Sequence, residues 1–225
     1  MTLDIRLDPH EARLFGVLVE KALTTPEQYP LTINAATNGA NQKSNREPVL
    51  SLAEDEVDAA LRRLEQKYMA RKVFPSNSRV EKYCHNGKDA LGLDAAGLAV
   101  LAELLMRGPQ TPGDLRARAG RMTPFASLDE VMRTLGTLLE RGLVQRLAPA
   151  PGSRVERYVQ LLSPDLHRLE YPIAGVSSQH DLPDRAVSPT APDLVVRLAA
   201  LEADVQQLRE HLRLLARKVG QSRED

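Results

Sequence analysis

Two stretches of this chain repeat one another, and the length of that repeat constrains the fold more than any other feature. Glu56-Val57, Leu61 and Leu64 lead to Ser78-Arg79-Val80-Glu81-Lys82-Tyr83; Glu130-Val131, Leu135 and Leu138 lead to Ser153-Arg154-Val155-Glu156-Arg157-Tyr158. The offset is 74 residues from Glu56 to Glu130 and 75 from Ser78 to Ser153, so one residue is gained between the two parts. Such a repeat is too long for a solenoid unit and matches a small domain. Two copies of one small fold are expected, and any function belongs to a pair.

Within the first copy, Leu14, Val17, Leu18 and Ala22 share a face at helical spacing over residues 10–23. A short second helix is predicted over 30–36 with Pro30 in its first turn, followed by a polar loop over 38–48. Ser51-Leu52-Ala53-Glu54 reads as a capping box opening a third helix, whose stripe is Val57, Leu61, Leu64 and Tyr68. Strands over 71–74 and 79–83 flank a Pro-Ser-Asn turn. The second copy follows the same order: a helix through Leu98, Leu101, Ala102 and Leu105, a short helix over 113–119, a capping box at Ser127-Leu128-Asp129-Glu130, and a third helix through Val131, Leu135, Leu138 and Leu139. Gly142 caps that helix, and strands over 144–147 and 154–160 close the copy. Three helices and a hairpin, twice, is the winged-helix arrangement. The fold class is therefore mainly α with small β-hairpins (α+β), with winged-helix domains over 8–90 and 91–162.

Residues 163–192, with Pro164, Pro172, Pro183, Pro189 and Pro192, read as a linker. Beyond it, over 193–219, Leu194, Leu198, Leu201, Val205, Leu208, Leu212, Leu215 and Val219 recur at alternating spacings of four and three. That is the a/d seam of a coiled coil. Arg197 facing Glu202 and Asp204 facing Arg209 suit a parallel homodimer. A helix folded back onto its own domains is the alternative.

Thirty basic and thirty acidic residues give no formal net charge, so a duplex-binding surface has to be a local patch. Tryptophan is absent and aromatics are 4%, which disfavours single-strand binding by base stacking. The single cysteine, Cys84, excludes an intramolecular disulfide, and a cytoplasmic setting is expected. The N-terminus lacks the pattern of a signal peptide, and no stretch approaches the roughly 20 apolar residues of a membrane span.

Leu23-Thr24-Thr25-Pro26-Glu27-Gln28-Tyr29-Pro30-Leu31-Thr32, and then Asn38-Gly39-Ala40-Asn41-Gln42-Lys43-Ser44-Asn45-Arg46-Glu47-Pro48-Val49, closely resemble the YceH family. This is a bacterial family of uncharacterised proteins with tandem winged-helix domains and often a C-terminal coiled coil. The resemblance spans residues 8–162 and implies the fold; it carries no activity with it. Cys84-His85 depart from the residues usual in the family beside Tyr83, so the resemblance assigns that cysteine no role.

The polar loop is the foremost site candidate. Asn41, Gln42, Asn45 and Arg46 are of the types that read base edges, and Lys43 and Ser44 suit phosphates. The plainer reading is an irregular turn whose side chains satisfy its own backbone. Glu54, Asp55, Glu56 and Asp58 place four carboxylates where a recognition helix would meet DNA, and Asp129 and Glu130 repeat the objection. Basic residues gather instead at Arg116, Arg118 and Arg121, where a solvated charged face is the simpler reading, and on the hairpins at Arg79, Lys82, Arg154 and Arg157. There, pairing of Arg79 with Glu81 and of Arg154 with Glu156 is the bland alternative. Tyr83 and Tyr158 are expected to anchor the hairpins in the core.

Nothing points to catalysis, a metal or a cofactor. The five histidines are scattered, and Cys84 and His85, adjacent on a strand, point to opposite faces. The sequence thus leads to a non-enzymatic, dimeric DNA-associated regulator, with a protein-interaction scaffold that binds no DNA as the competing reading.

Overall fold

The computed structural model describes residues 5–74, 80–149, 152 and 154–167. The heptad seam, Arg79 and most of the expected linker lie outside them.

Helix α1 (Pro9–Thr24) opens on a reciprocal cap: Asp8 Oδ1 accepts from Glu11 N at 2.9 Å while Glu11 Oε2 accepts from Asp8 N at 2.8 Å. Helix α2 (Ile33–Ala40) follows, and α3 (Glu54–Gln66) leads into β1 (Ala70–Val73) and β2 (Lys82–His85), paired antiparallel with Ala70 opposite His85. A short helix, α4 (Gly87–Leu91), joins the copies. The second copy comprises α5 (Ala95–Arg107), α6 (Pro112–Ala119), α7 (Leu128–Glu140), β3 (Val144–Leu147) and β4 (Arg157–Gln160), with Val144 opposite Gln160. Each hairpin gains a third partner from the segment before the second helix. Leu31 and Tyr83 exchange bonds of 3.0 and 2.7 Å; Gln110 and Tyr158 exchange bonds of 3.0 and 2.8 Å. The described chain is thus mainly helical with two small antiparallel hairpins.

The stripes behave as their spacing requires. Val57, Leu61 and Leu64 of α3 and Val131, Leu135 and Leu138 of α7 are buried, as are Tyr83 and Tyr158; Tyr68, assigned to the first stripe, is exposed beyond the end of α3. The helix starts differ in detail. Thr32 caps α2, so Pro30 stands outside that helix. Ala53, which has no side-chain acceptor, occupies the cap of α3; only Glu56 Oε2 reaches back, to Ala53 N at 2.8 Å, and Ser51 takes no part. At α7, Ser127 Oγ accepts from Glu130 N at 3.3 Å, but Glu130 reaches one residue further back, to Ala126 N. Strands β2 and β4 are shorter than their apolar pattern suggested, each beginning at its last basic residue.

The two copies meet along their first helices. Glu11 to Glu20 of α1 and Gly97 to Met106 of α5 are buried without interruption, so neither helix has a solvent face over that length. Gly16 makes the close approach possible, since a β-carbon there would stand 3.0 Å from Met106 Cγ and 3.5 Å from Ala102 O. Further bonds tie the copies together: Leu7 N donates to Leu162 O at 2.7 Å, Glu47 N to Met106 O at 2.7 Å, and Arg141 Nη1 to Leu91 O at 2.9 Å. Ser163, Leu166 and His167, at the start of the expected linker, are buried against this body.

Candidate functional site

The polar loop over 41–48 is pinned at both ends. Asn41 bonds Leu52 twice, its Nδ2 donating to the carbonyl and its Oδ1 accepting from the amide, each at 2.8 Å. Arg46, read from the sequence as a DNA contact, is fully buried and points inward. Its Nη2 meets Glu20 Oε2 at 2.6 Å, Nε donates to Gly39 O at 3.0 Å, and Nη1 to Asn45 O at 2.8 Å. Arg13, also fully buried, donates to Ala40 O at 3.3 Å and Pro48 O at 2.7 Å. Burial, reinforced by the nearby Arg46 charge, lowers Arg13 to about 10, so it stays protonated at neutral pH. His167 Nε2 lies 2.7 Å from Glu47 O; burial first, and the Arg13 charge, pull its pKa down to about 4. Arg46 and Asn41 are therefore struts of the junction, and what remains at the surface is Gln42, Lys43, Ser44 and Asn45.

Arg121 arrives at the same place from the second copy. Its Nη2 lies 2.6 Å from Glu20 Oε1 and 3.4 Å from Glu103 Oε2, and its side chain is 36% exposed. Glu103 also holds Arg107 at 3.0 Å, and Arg107 reaches Asn45 Oδ1, so a second-copy helix grips the first-copy loop. Burial, with Arg118, Arg121 and Arg46 nearby, lowers the Arg107 pKa against the opposing pull of Glu103. Outside this network opens a groove of about 670 Å³, lined by Lys21, Thr24, Gln42, Lys43, Ser44 and Arg121 among others.

The remaining candidates are scattered. Arg118 donates to Gln110 Oε1 at 2.8 Å and lies 3.7 Å from Asp114, while Arg116, exposed, donates to Ala126 O at 3.1 Å. On the hairpins, Glu81 pairs with Lys72 at 2.8 Å and Glu156 with Arg146 at 3.4 Å, across the strands rather than along them. Arg71, Lys82 and Arg154 make no ion pair among the described residues. Glu54, Asp55 and Glu56 are exposed at the start of α3. Arg62 is paired with Asp58, Arg63 with Asp8 and Glu11, and Lys67 with Glu11. Helix α7 turns Leu128, Met132 and Leu139 outward, 45%, 42% and 38% exposed. Cys84 Sγ donates to Arg71 O at 3.6 Å, whereas His85 Nδ1 accepts from Gly87 N at 3.2 Å. Among the described residues, no three His, Cys, Asp or Glu side chains gather so as to hold a metal ion, and no helix is long and apolar enough to cross a membrane.

Residues 7–164 match the family described as "Protein of unknown function, DUF480". The chain belongs to that family, UPF0502 or YceH. A UPF0502 protein of Koribacter versatilis is 44% identical over 205 residues, covering 90% of each chain. One from Klebsiella pneumoniae subsp. pneumoniae is 41% identical, covering 96% of this chain and 98% of its own length. The UPF0502 protein YceH of Salmonella paratyphi A is 41% identical over 94% of this chain and 96% of its own. Membership supplies a relationship and no activity, so the chemistry has to be argued from the junction itself.

The residues that organise the junction, Arg13, Glu20, Glu103, Arg107 and His167, carry no motif. A signal for some of them does exist in the sequence. Arg13 and Glu20 bracket the apolar run Leu14-Phe15-Gly16-Val17-Leu18-Val19, and Glu103 stands alone among Leu98-Ala99-Val100-Leu101-Ala102 and Leu104-Leu105-Met106. Helices apolar on every side are buried, and a charge inside one requires a partner.

Proposed function

We propose that the chain is a non-enzymatic tandem winged-helix protein that associates with duplex DNA as a regulator. What supports the domain type is the repeated order of three helices, a hairpin and a third bridged segment. The observation carrying the DNA reading is on the hairpins: both acids, Glu81 and Glu156, are taken by Lys72 and Arg146, leaving Arg71, Lys82 and Arg154 unspent. Acidic side chains at the start of α3 and apolar ones along α7 disfavour insertion of either third helix into a groove. Contact with phosphates then falls to the hairpins and to Arg116. Binding to random duplex DNA across a salt series tests this. Each phosphate contact contributes about −0.9 to the slope of log K against log salt, so Lys82→Ala/Arg154→Ala should flatten the slope by about 2. An absence of association at low salt rejects the reading.

A second reading, a scaffold for other proteins, has its own observation. Leu128, Met132 and Leu139 fall within one narrow arc of α7 and are substantially exposed. Duplex binding abolished by Met132→Glu but untouched by Lys82→Ala/Arg154→Ala would displace the hairpins in favour of that face. Self-association through the heptad segment is a separate proposal. Truncation before Asp193 should reduce the mass measured by light scattering to that of a monomer, and an unchanged mass refutes it.

A further inference from the structure

The groove between the copies carries more positive charge than its own structure consumes. Five cations, Lys21, Lys43, Arg46, Arg107 and Arg121, stand around two carboxylates, Glu20 and Glu103. Both oxygens of Glu20 are occupied, one by Arg46 and one by Arg121, each at 2.6 Å. Glu103 is shared between Arg107 and Arg121. Neither carboxylate is left for Lys21 or Lys43, which have no ion pair among the described residues. Gln42 and Ser44, beside them, have no hydrogen bond from their side chains either.

These unspent donors sit on a loop that is already fixed. Asn41 is double-bonded to Leu52 on one side, and Arg46 and Arg13 anchor the other. A ligand therefore meets donors whose ordering cost is met by the fold rather than by binding. The opening, about 670 Å³, is of the size small-molecule sites take.

We infer that this groove seats a phosphate group, held by the Lys21 and Lys43 ammonium groups with Gln42 and Ser44 as neutral donors. Lysine binds phosphate as a compact charge that needs no planar partner, and a dianion matches the surplus. The phosphate can belong to a small phosphorylated molecule or to a nucleic-acid backbone. Because the groove is built from α1, the first-copy loop and Arg121, its occupant touches both copies at once. The inference stands without the hairpin reading above.

Calorimetry on the full chain at low ionic strength, with pyrophosphate and inorganic phosphate as probes and chloride as the matched control, tests it. Pyrophosphate binding should exceed the chloride background, and Lys21→Ala/Lys43→Ala should weaken it at least about tenfold. Gln42→Ala/Ser44→Ala, which touches no charge, should weaken it by less. Lys82→Ala/Arg154→Ala should leave it unchanged, which separates this site from the hairpins. Competition by random duplex with the same lysine dependence assigns the phosphate to a nucleic acid; pyrophosphate binding indifferent to duplex assigns it to a small ligand. Heats no greater than chloride for both probes, or a lysine double variant that binds as wild type, overturn the inference.

Discussion

The two segments in which the copies differ, residues 41–48 in the first and 121–125 in the second, end on the same carboxylate. Arg46 takes one oxygen of Glu20 from the buried side, and Arg121 takes the other from the groove. In sequence the two look like unrelated surface loops, one polar and one short and apolar. In the structure they are two halves of one clasp, differing chiefly in how much water each arginine sees. Divergence between copies therefore marks where they meet, with the functional surface confined to whatever the clasp leaves outside.

That contrast of a buried and an open arm can be broken by experiment. Arg46→Ala strips Glu20 of its buried partner and leaves the Gly39 and Asn45 carbonyls without their donor; removing one member of a buried pair costs about 3–5 kcal/mol. Denaturant unfolding should report a loss of that order, and a loss comparable to that of Arg121→Ala would erase the distinction. His167 fastens the same loop from the second copy. Its pKa is lowered from 6.5 to about 4, so the unfolded chain binds the proton more tightly. Its contribution is complete above pH 6.5 and is lost as the pH falls towards 4, up to about 3 kcal/mol. Unfolding measured from pH 7 to 4 should show that slope, and His167→Gln should remove it; identical profiles would exclude His167 as the cause.

The smaller effects sharpen the open arm. Arg121→Ala should cost about 1 kcal/mol, since solvent screens a pair this exposed. A cost near that of Arg46→Ala would mean the groove side is effectively dry. Lys43→Ala should fall within about 0.5 kcal/mol of wild type. A larger destabilisation would show that Lys43 has a structural partner and is not held free for a ligand.

Much of the architecture was legible because apolar periodicity reports burial directly. The stripes of α3 and α7 and the paired tyrosines needed no tertiary knowledge. The role of residues 41–48 was not legible, for a physical reason: Asn, Arg and Ser satisfy an irregular backbone with the same donors they would offer to DNA. What separates the two uses is the location of Glu20, which precedes Arg46 by 26 residues and lies on a helix whose burial on all sides was read as one apolar face. The cap of α3 was misplaced on similar grounds. Ser51 fits the pattern, but the chain enters the helix two residues later, at Ala53, and Glu56 supplies the only side-chain bond.

The packing of α1 on α5 has a consequence of its own. A contact made by the same element from both partners is what a two-fold axis produces when two identical subunits associate. Here the partners are one molecule, so their encounter is intramolecular and independent of protein concentration. Covalent linkage also frees each half from its mirror image: a substitution in one arises once, where in a symmetric pair it would appear twice. The chain can accordingly seal one side of its axis with Arg46 and leave the other ajar at Arg121. A strictly symmetric assembly would have had to keep both closed or open both.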